Sequence, residues 1–308
     1  MKIYDCFTFF NEEELLELRL QMLSPYLDYF ILVESNITFR GNLKPFYFNP
    51  DDTRFKPYIN KIIHLKYENV PQKTKPNDYS LEIQQRNYIS EGLKKLNCQD
   101  NDLVIISDLD EIPNPMILKQ LKTNTLFSKD NLLKLHRIFR KRKSKLPAYL
   151  KYLQLLVKHN QNASILDILN ITPLGFSQKH FYYYINNLYT DKWWGSVISL
   201  YKNMQTPQAL RDIRRHLPVL NNGGYHSSYM GGLDSIIKKQ NSIVDEDSSH
   251  LENKIYNSSY VKKCLSNGSR IATNQATQNH VFTKISIPEI GIDKIDAFIK
   301  KYPYMYLK

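Results

Sequence analysis

Residues 103–113 read LVIISDLDEIP, an apolar run that ends in three carboxylates. A continuous run of Val, Ile and Leu is typical of a strand buried on both faces of a sheet, and open α/β sheets bind ligands at the carboxyl ends of their strands. Asp108 and Asp110 therefore predict a site where Mg²⁺ or Mn²⁺ bridges a diphosphate, because hard cations prefer oxygen ligands. The alternative is that both aspartates only cap the turn before Pro113.

The net charge and the aromatic content of the chain indicate which classes of partner it favours. The 308 residues suffice for one large α/β domain or two smaller ones, and the formal net charge is +12. Such a charge favours an acidic partner: a nucleotide diphosphate, an anionic glycolipid, a membrane surface or a nucleic acid. The 22 Tyr and 14 Phe suit a cleft that stacks on sugar or nucleobase rings, although most buried tyrosines are packing residues.

Cysteine usage and the N-terminus predict the compartment. Cys6, Cys98 and Cys264 are odd in number and far apart, which indicates neither a disulfide framework nor a zinc site. Met1 leads directly into a strand, without a basic and then apolar leader and without an apolar stretch of membrane-spanning length. We therefore expect a cytoplasmic protein.

Strands and helices alternate in the chain before residues 103–113. Their order, strand, helix and strand, then strand, helix and strand, predicts an open sheet with parallel strands and right-handed crossovers. The predicted elements are strands at 3–10, 29–34 and 62–65, a helix capped by Asn11, and a helix over 79–96.

The ends of the two early strands offer a second part of a nucleotide site. Thr8, Phe9 and Phe10 end the first strand, and Glu34 and Ser35 end the second. Carboxyl ends of parallel strands meet at one edge of a sheet, so these residues are candidates to hold uracil and ribose. The alternative interpretation is that they are core residues and helix caps.

The middle of the chain is basic. Residues 140–158 combine a cluster of Arg and Lys with a Leu- and Tyr-rich stretch, and a basic amphipathic helix of this kind can lie on an anionic membrane. A solvated lid or insertion helix explains the same pattern. We predict a helical insertion over about 140–175.

Two further stretches carry candidate ligand contacts. Trp193 and Trp194 are adjacent, so they cannot both face one layer of a strand, and one is expected to line the cleft. The pairs Gly223–Gly224 and Gly231–Gly232 allow close backbone approach to a ligand, which predicts a second site loop. Two ordinary turns beside a strand are the alternative.

Five stretches in one order carry a family resemblance. They are YDCFTFFNE at 4–12, VESNITF at 33–39, QRN at 85–87, SDLDEIP at 107–113 and GGYHSSY at 223–229. Over about residues 3–245 the chain resembles glycosyltransferase family 17, the family of the β-1,4-mannosyl-glycoprotein 4-β-N-acetylglucosaminyltransferase.

The resemblance implies an α/β fold of GT-A type with a central, mostly parallel sheet, the basic helical insertion and C-terminal helices. It also implies inverting, Mn²⁺- or Mg²⁺-dependent transfer from a UDP-sugar, with UDP-N-acetylglucosamine the expected donor. Asp108, Asp110 and Glu111 match the metal motif and the acid that follows it. Arg86 and Asn87 match a helix motif that precedes the metal strand, and His226 matches the histidine of the family's Gly-Gly-Trp-His-Phe-Ser-Tyr segment. His226 is a candidate to complete the metal shell or to contact the diphosphate, and a structural role is the alternative. Here Tyr225 replaces a family tryptophan, and the later Ser-Phe-x-His-x-Glu segment reads Ser242–Ile243–Val244–Asp245–Glu246.

Inversion requires a carboxylate that takes the proton of the acceptor hydroxyl. Asp234 is the first candidate, because it follows the second glycine pair as an acid does in the acceptor loops of several inverting GT-A enzymes. Asp191, beside the tryptophans, and Glu111 are its rivals.

The sequence also predicts domain limits and partners, and two alternative functions remain open. We predict a catalytic domain over 1–245 and a C-terminal helical extension over 246–308. The expected acceptor is a glycan or glycolipid hydroxyl, with peripheral contact to an anionic membrane and no nucleic-acid partner. The alternatives are a basic nucleic-acid-binding protein, which acids at the strand ends disfavour, and a metal-dependent phosphoesterase, which normally needs more clustered His and Asp ligands.

Overall fold

The computed structural model of the chain describes residues 1–72, 74–75, 77–123, 154, 164–244, 258–267 and 282–308. These residues form a mixed sheet with helices packed against it. The strands are β1 Ile3–Phe9, β2 Tyr29–Ser35, β3 Ile62–Tyr67, β4 Leu103–Asp108, β5 Glu111–Pro113, β6 Leu174–Tyr182, β7 Asn187–Tyr189, β8 Trp193–Leu200, β9 Val219–Ser228 and β10 Phe282–Lys284. The helices are α1 Glu13–Leu23, α2 Ser80–Asn87, α3 Ile89–Lys95, α4 Pro115–Thr123, α5 Ile165–Leu169, α6 Pro207–Asp212, α7 Gly232–Gln240, α8 Ser258–Asn267, α9 Ile287–Ile290 and α10 Ile295–Lys301.

One half of the sheet is parallel. Its strands lie in the order β3-β2-β1-β4, and every neighbouring pair runs parallel. In this register Thr8 lies opposite Asp108, and Phe9 lies opposite Glu34. The ends of three strands therefore meet at one edge, as the sequence predicted.

The other half of the sheet is mostly antiparallel. β8 pairs with β4 and β6, and β7 and β10 extend the sheet further. β9 runs parallel to β6 and also pairs with the short strand β5, which places Glu111 opposite His226. The predicted α/β fold of GT-A type is confirmed, with parallel strands from β3 to β4 and mostly antiparallel strands beyond β4.

Alternation along the strands builds two hydrophobic layers. In β1, Ile3 and Phe7 face one layer, where the leucines of α1 pack, and Tyr4 and Cys6 face the other. Burying each large apolar side chain contributes about 1.5–3 kcal/mol. Both faces of the central strands are thus covered by the two hydrophobic layers. The edge of the sheet where the carboxylates lie remains open.

Several local predictions differ from the structure. The helix expected over 79–96 is divided at Tyr88 into α2 and α3, and Asn11 does not cap α1, whose N-cap residue is Glu12 without a side-chain capping bond. Gly223–Gly224 lies within β9 rather than in a loop, because Gly224 (φ +140°) lets the strand pass so close to Ile112 that a Cβ would overlap its carbonyl oxygen.

The predicted insertion and extension are only partly covered. Most of the stretch 140–175, including the basic cluster, lies outside the described residues, and so do 246–257 and 268–281. Ile290, Ile295, Phe298 and Met305 of the C-terminal part belong to the main hydrophobic core. Among the described residues, no helix has both the length and the apolar character needed to cross a membrane.

Candidate active site

The site is centred on the turn between β4 and β5. β4 ends at Asp108, and Leu109 and Asp110 form the turn that leads to Glu111 in β5. The Glu111 carboxylate accepts a hydrogen bond from the Asp108 amide at 3.0 Å, and Leu109 is buried in the core. These contacts fix one aspartate on each side of the turn.

Arg19 of α1 binds the backbone of this turn. Its Nη1 donates to the carbonyl oxygens of Asp108, Leu109 and Glu111 at 3.0, 2.9 and 3.1 Å. The same guanidinium pairs with Asp5 at 2.6 and 2.7 Å, and both side chains are fully buried. Sequence reasoning missed Arg19, although one Arg in an otherwise apolar helix face and one Asp inside a buried strand were signals of a buried pair.

Two arginines bind the Asp108 carboxylate. Arg86 Nη2 lies 2.8 Å from Oδ1, and Arg211 Nη2 lies 2.5 Å from Oδ2. Burial alone would raise the pKa of Asp108, but the ion pairs with Arg211 and Arg86 outweigh burial and hold that pKa well below its usual range. The carboxylate therefore stays charged at any ordinary pH.

Asp110 faces a lysine and a histidine. Lys239 of α7 donates to Oδ2 at 2.9 Å, and His226 Nε2 lies 3.6 Å from Oδ1. The His226 ring stacks on Trp193 with centroids 4.3 Å apart. Burial opposes ionisation of Asp110, yet Lys239 and His226 hold its pKa below its usual range.

Glu111 is a fully buried anchor of the site. Arg211 contacts both of its oxygens, at 2.6 and 2.7 Å, and Trp193 Nε1 donates to Oε1 at 2.5 Å. Arg211 also donates to the Gly195 carbonyl oxygen. With every oxygen of Glu111 engaged, this carboxylate positions its neighbours.

Gly195 leaves the room that Glu111 occupies. A Cβ at this position would overlap the Glu111 carboxylate and the Trp193 indole nitrogen. We expect Gly195→Ala to lower the free energy of unfolding by about 1–3 kcal/mol through overpacking, as measured by urea denaturation. Gly175→Ala is the control, because its nearest neighbour is the side-chain tip of Val219 at 3.3 Å. Equal losses in both variants would contradict this role of Gly195.

These side chains border a cavity of about 620 Å³. Thr8, Phe9 and Phe10 line one part of it, and Trp193, His226 and Lys239 line another. Further lining residues are Ile37, Thr38, Phe39, Lys44, Tyr79, Glu82, Ile83, Gln85, Arg86, Asp108, Asp110, Gln208, Arg211, Asp212, Arg214 and Arg215. The structure thus brings together the ends of β1 and β4 with side chains from α6, α7, β8 and β9.

Three predicted binding residues lie outside that lining. Glu34 is buried and accepts hydrogen bonds from the amides of Tyr47 and Phe48, with His64 Nε2 at 3.1 Å. Ser35 bonds the amide of Ile37, and Asn87 bonds the amide of Gln208. In this arrangement Glu34 fixes the backbone at Tyr47 and Phe48, and Asn87 fixes the start of α6, where Gln208 lines the cavity.

The candidate bases occupy different positions. Asp234 and Asp191 are exposed and do not line the cavity, and Glu111 is bound by Arg211 and Trp193. The role of each as a base stays a prediction. The acids that line the cavity are Glu12, Glu82, Asp108, Asp110 and Asp212.

A divalent cation does not fit the donor set as it is arranged. Arg86 and Arg211 bind the two oxygens of Asp108, and Lys239 binds Oδ2 of Asp110, so three of the four carboxylate oxygens face fixed positive charges. Among the described residues, no group of three or more His, Cys, Asp or Glu is placed to hold a metal ion. The sequence-based prediction of Mn²⁺ or Mg²⁺ at Asp108, Asp110 and His226 stays a prediction.

Residues 1–139 match the family model of Glycosyltransferase family 17. The matched part contains Arg19, Arg86 and the turn from Asp108 to Glu111, whereas Arg211 and Lys239 come from the remainder of the chain. No curated protein sequence matches the chain significantly.

Proposed function

We propose that the protein, whose residues 1–139 match the family model of Glycosyltransferase family 17, is a glycosyltransferase that transfers N-acetylglucosamine from a UDP-sugar to a hydroxyl of a glycan or glycolipid, with inversion. The observation that carries this proposal is the ring of Arg86, Arg211 and Lys239 around the Asp108–Asp110 turn, inside a cavity at the strand ends. The cavity volume of about 620 Å³ lies within the usual range for small-molecule sites.

The chemistry of the leaving group supports this assignment. When the sugar departs, negative charge develops on the diphosphate, and fixed cations that point at that charge stabilise the transition state. Arg86, Arg211 and Lys239 supply such cations and are already held in place by Asp108 and Asp110. Preorganised charges need no reorientation when the bond breaks, so the carboxylates assist by fixing the cations.

Two sets of lining residues suit two parts of a donor. Thr8, Phe9 and Phe10 follow one another at the end of β1 in the lining, and we assign them to the uracil and ribose. Trp193, stacked on His226, adds an aromatic surface to the lining, which we assign to the sugar and acceptor. The acceptor hydroxyl requires a carboxylate within hydrogen-bond reach to take its proton.

A panel of nucleotide sugars tests the donor. UDP and UDP-N-acetylglucosamine should stabilise the full chain against thermal unfolding, whereas GDP-mannose and CMP-sialic acid should not. A ligand that binds only the native state at about 100 times its Kd adds about 2.7 kcal/mol, which raises Tm measurably. Each compound is measured once with Mn²⁺ and once with EDTA, so that the assay shows whether binding requires a divalent ion.

A matched pair of variants locates the binding. Arg86→Met should weaken UDP binding by about 10–100-fold, because it removes a charged hydrogen-bond donor, whereas Lys94→Met on the exposed face of α3 should not. Salt-sensitive binding of an oligonucleotide without any response to UDP compounds would overturn the proposal.

A further inference from the structure

Lys239 bridges two carboxylates from separate parts of the chain. Its Nζ lies 2.9 Å from Asp110 Oδ2 and 3.1 Å from Glu12 Oε1, at the wall of the cavity. Glu12 precedes α1 and Asp110 follows β4, so α7 delivers a single positive charge to the point where the two acids converge. The motif at residues 103–113 does not predict that a lysine lies at this position.

Lys239 stays charged in this position. A lysine ammonium is ordinarily charged at neutral pH, and two carboxylates lie against this one. The side chain is 24% exposed and lines the cavity, so it can contact a ligand there. It therefore presents a permanent cation to whatever binds beside Asp110.

The ammonium takes the place that a metal ion would need. Mg²⁺ and Mn²⁺ bind oxygen ligands, and Lys239 occupies one oxygen of each acid, Oδ2 of Asp110 and Oε1 of Glu12. Asp108 offers no vacant alternative, because Arg86 and Arg211 each bind one of its oxygens. A divalent ion entering here would have to displace Lys239 against two ion pairs.

We infer that Lys239 replaces the divalent cation at this site, so that the protein binds the diphosphate of its donor through fixed cations and independently of a metal ion. The nature of the ligand rests on the proposed function, whereas the absence of a competent metal site rests on the contacts of Lys239, Arg86 and Arg211. Removing the ammonium should therefore create a metal site where the natural chain has none.

Titration with Mn²⁺, followed by its electron paramagnetic resonance signal, tests the inference on the full chain without any nucleotide. Lys239→Ala should bind Mn²⁺ at least about tenfold more tightly than the natural protein, because it leaves Asp110 and Glu12 without their cation. Lys238→Ala is the control, since Lys238 neighbours Lys239 but lies over the Tyr47 ring. Mn²⁺ binding by the natural protein that equals or exceeds that of Lys239→Ala would overturn the inference.

UDP binding provides the second measurement. The natural protein should bind UDP equally with EDTA and with Mn²⁺, whereas Lys239→Ala should lose about 10–100-fold in EDTA and regain affinity with Mn²⁺. Lys239→Arg should remain insensitive to Mn²⁺, and it covers the case in which the alanine variant does not fold. UDP binding by the natural protein that requires Mn²⁺ would overturn the inference. If no variant binds UDP, the proposed donor is wrong, and the Mn²⁺ titration still decides the role of Lys239.

Discussion

Replacing Arg211 by methionine should lower the free energy of unfolding by about 3–5 kcal/mol and abolish sugar transfer. Arg211 is buried and is the partner of both Asp108 and Glu111. Its removal leaves the fully buried Glu111 carboxylate without its cation, and an uncompensated buried charge is costly. Urea denaturation measures the loss of stability, and release of UDP from the proposed UDP-sugar donor measures transfer.

Two further variants separate the charge effect from other causes. Glu111→Gln in the Arg211→Met background should recover part of the lost stability, because it neutralises the stranded carboxylate. Lys202→Met, at an exposed position, should change the free energy of unfolding by less than about 0.5 kcal/mol. A loss below about 1 kcal/mol in Arg211→Met would contradict the central role of this arginine.

The sign of the pH dependence follows from Asp108. Its pKa is lower in the folded chain than the usual value of about 4 in an unfolded chain, so its pairing with Arg211 stabilises the fold fully above that pH. The stabilisation is lost as the pH falls towards the lowered pKa. The stability difference between the natural protein and Arg211→Met should therefore shrink in acid.

The position of the site could be predicted from the sequence because the residues that indicate it are adjacent in the chain. An apolar strand followed by Asp108, Asp110 and Glu111 indicates a strand end, and the parallel order of β1, β2 and β4 follows from the alternation of elements. Arg86 was also predicted, and the structure brings it to Asp108. Local patterns suffice for such features, since strand ends and sheet edges depend on short segments.

Two other partners of the carboxylates, Arg211 and Lys239, could not be assigned to them from the sequence. Arg211 lies 103 positions from Asp108, and Lys239 lies 129 positions from Asp110. The chain has 42 Lys and Arg, and nothing in their spacing says which of them the sheet order brings to the turn. The pairing of β5 with β9 was equally hidden, because the interpretation of Gly223–Gly224 as a loop concealed a strand.

Replacing Arg19 by methionine should produce the other large effect, since this residue links the core to the turn. The change leaves Asp5 fully buried and unpaired, which costs about 3–5 kcal/mol. It also removes the donor to the carbonyl oxygens of Asp108, Leu109 and Glu111. We expect lower stability in urea and a strong loss of transfer, although Arg19 does not line the cavity.

A double variant distinguishes these two roles of Arg19. Asp5→Asn combined with Arg19→Met removes the stranded charge, so it should be at least about 1 kcal/mol more stable than Arg19→Met alone. Transfer should stay low, because the carbonyl oxygens of the turn still lack their donor and Asp108 and Asp110 lose their fixed positions. Arg54→Met, which removes a partly exposed arginine paired with Glu13 and Asp52, should cost no more than about 1 kcal/mol. Recovery of transfer together with stability in the double variant would mean that Arg19 acts only through its pair with Asp5.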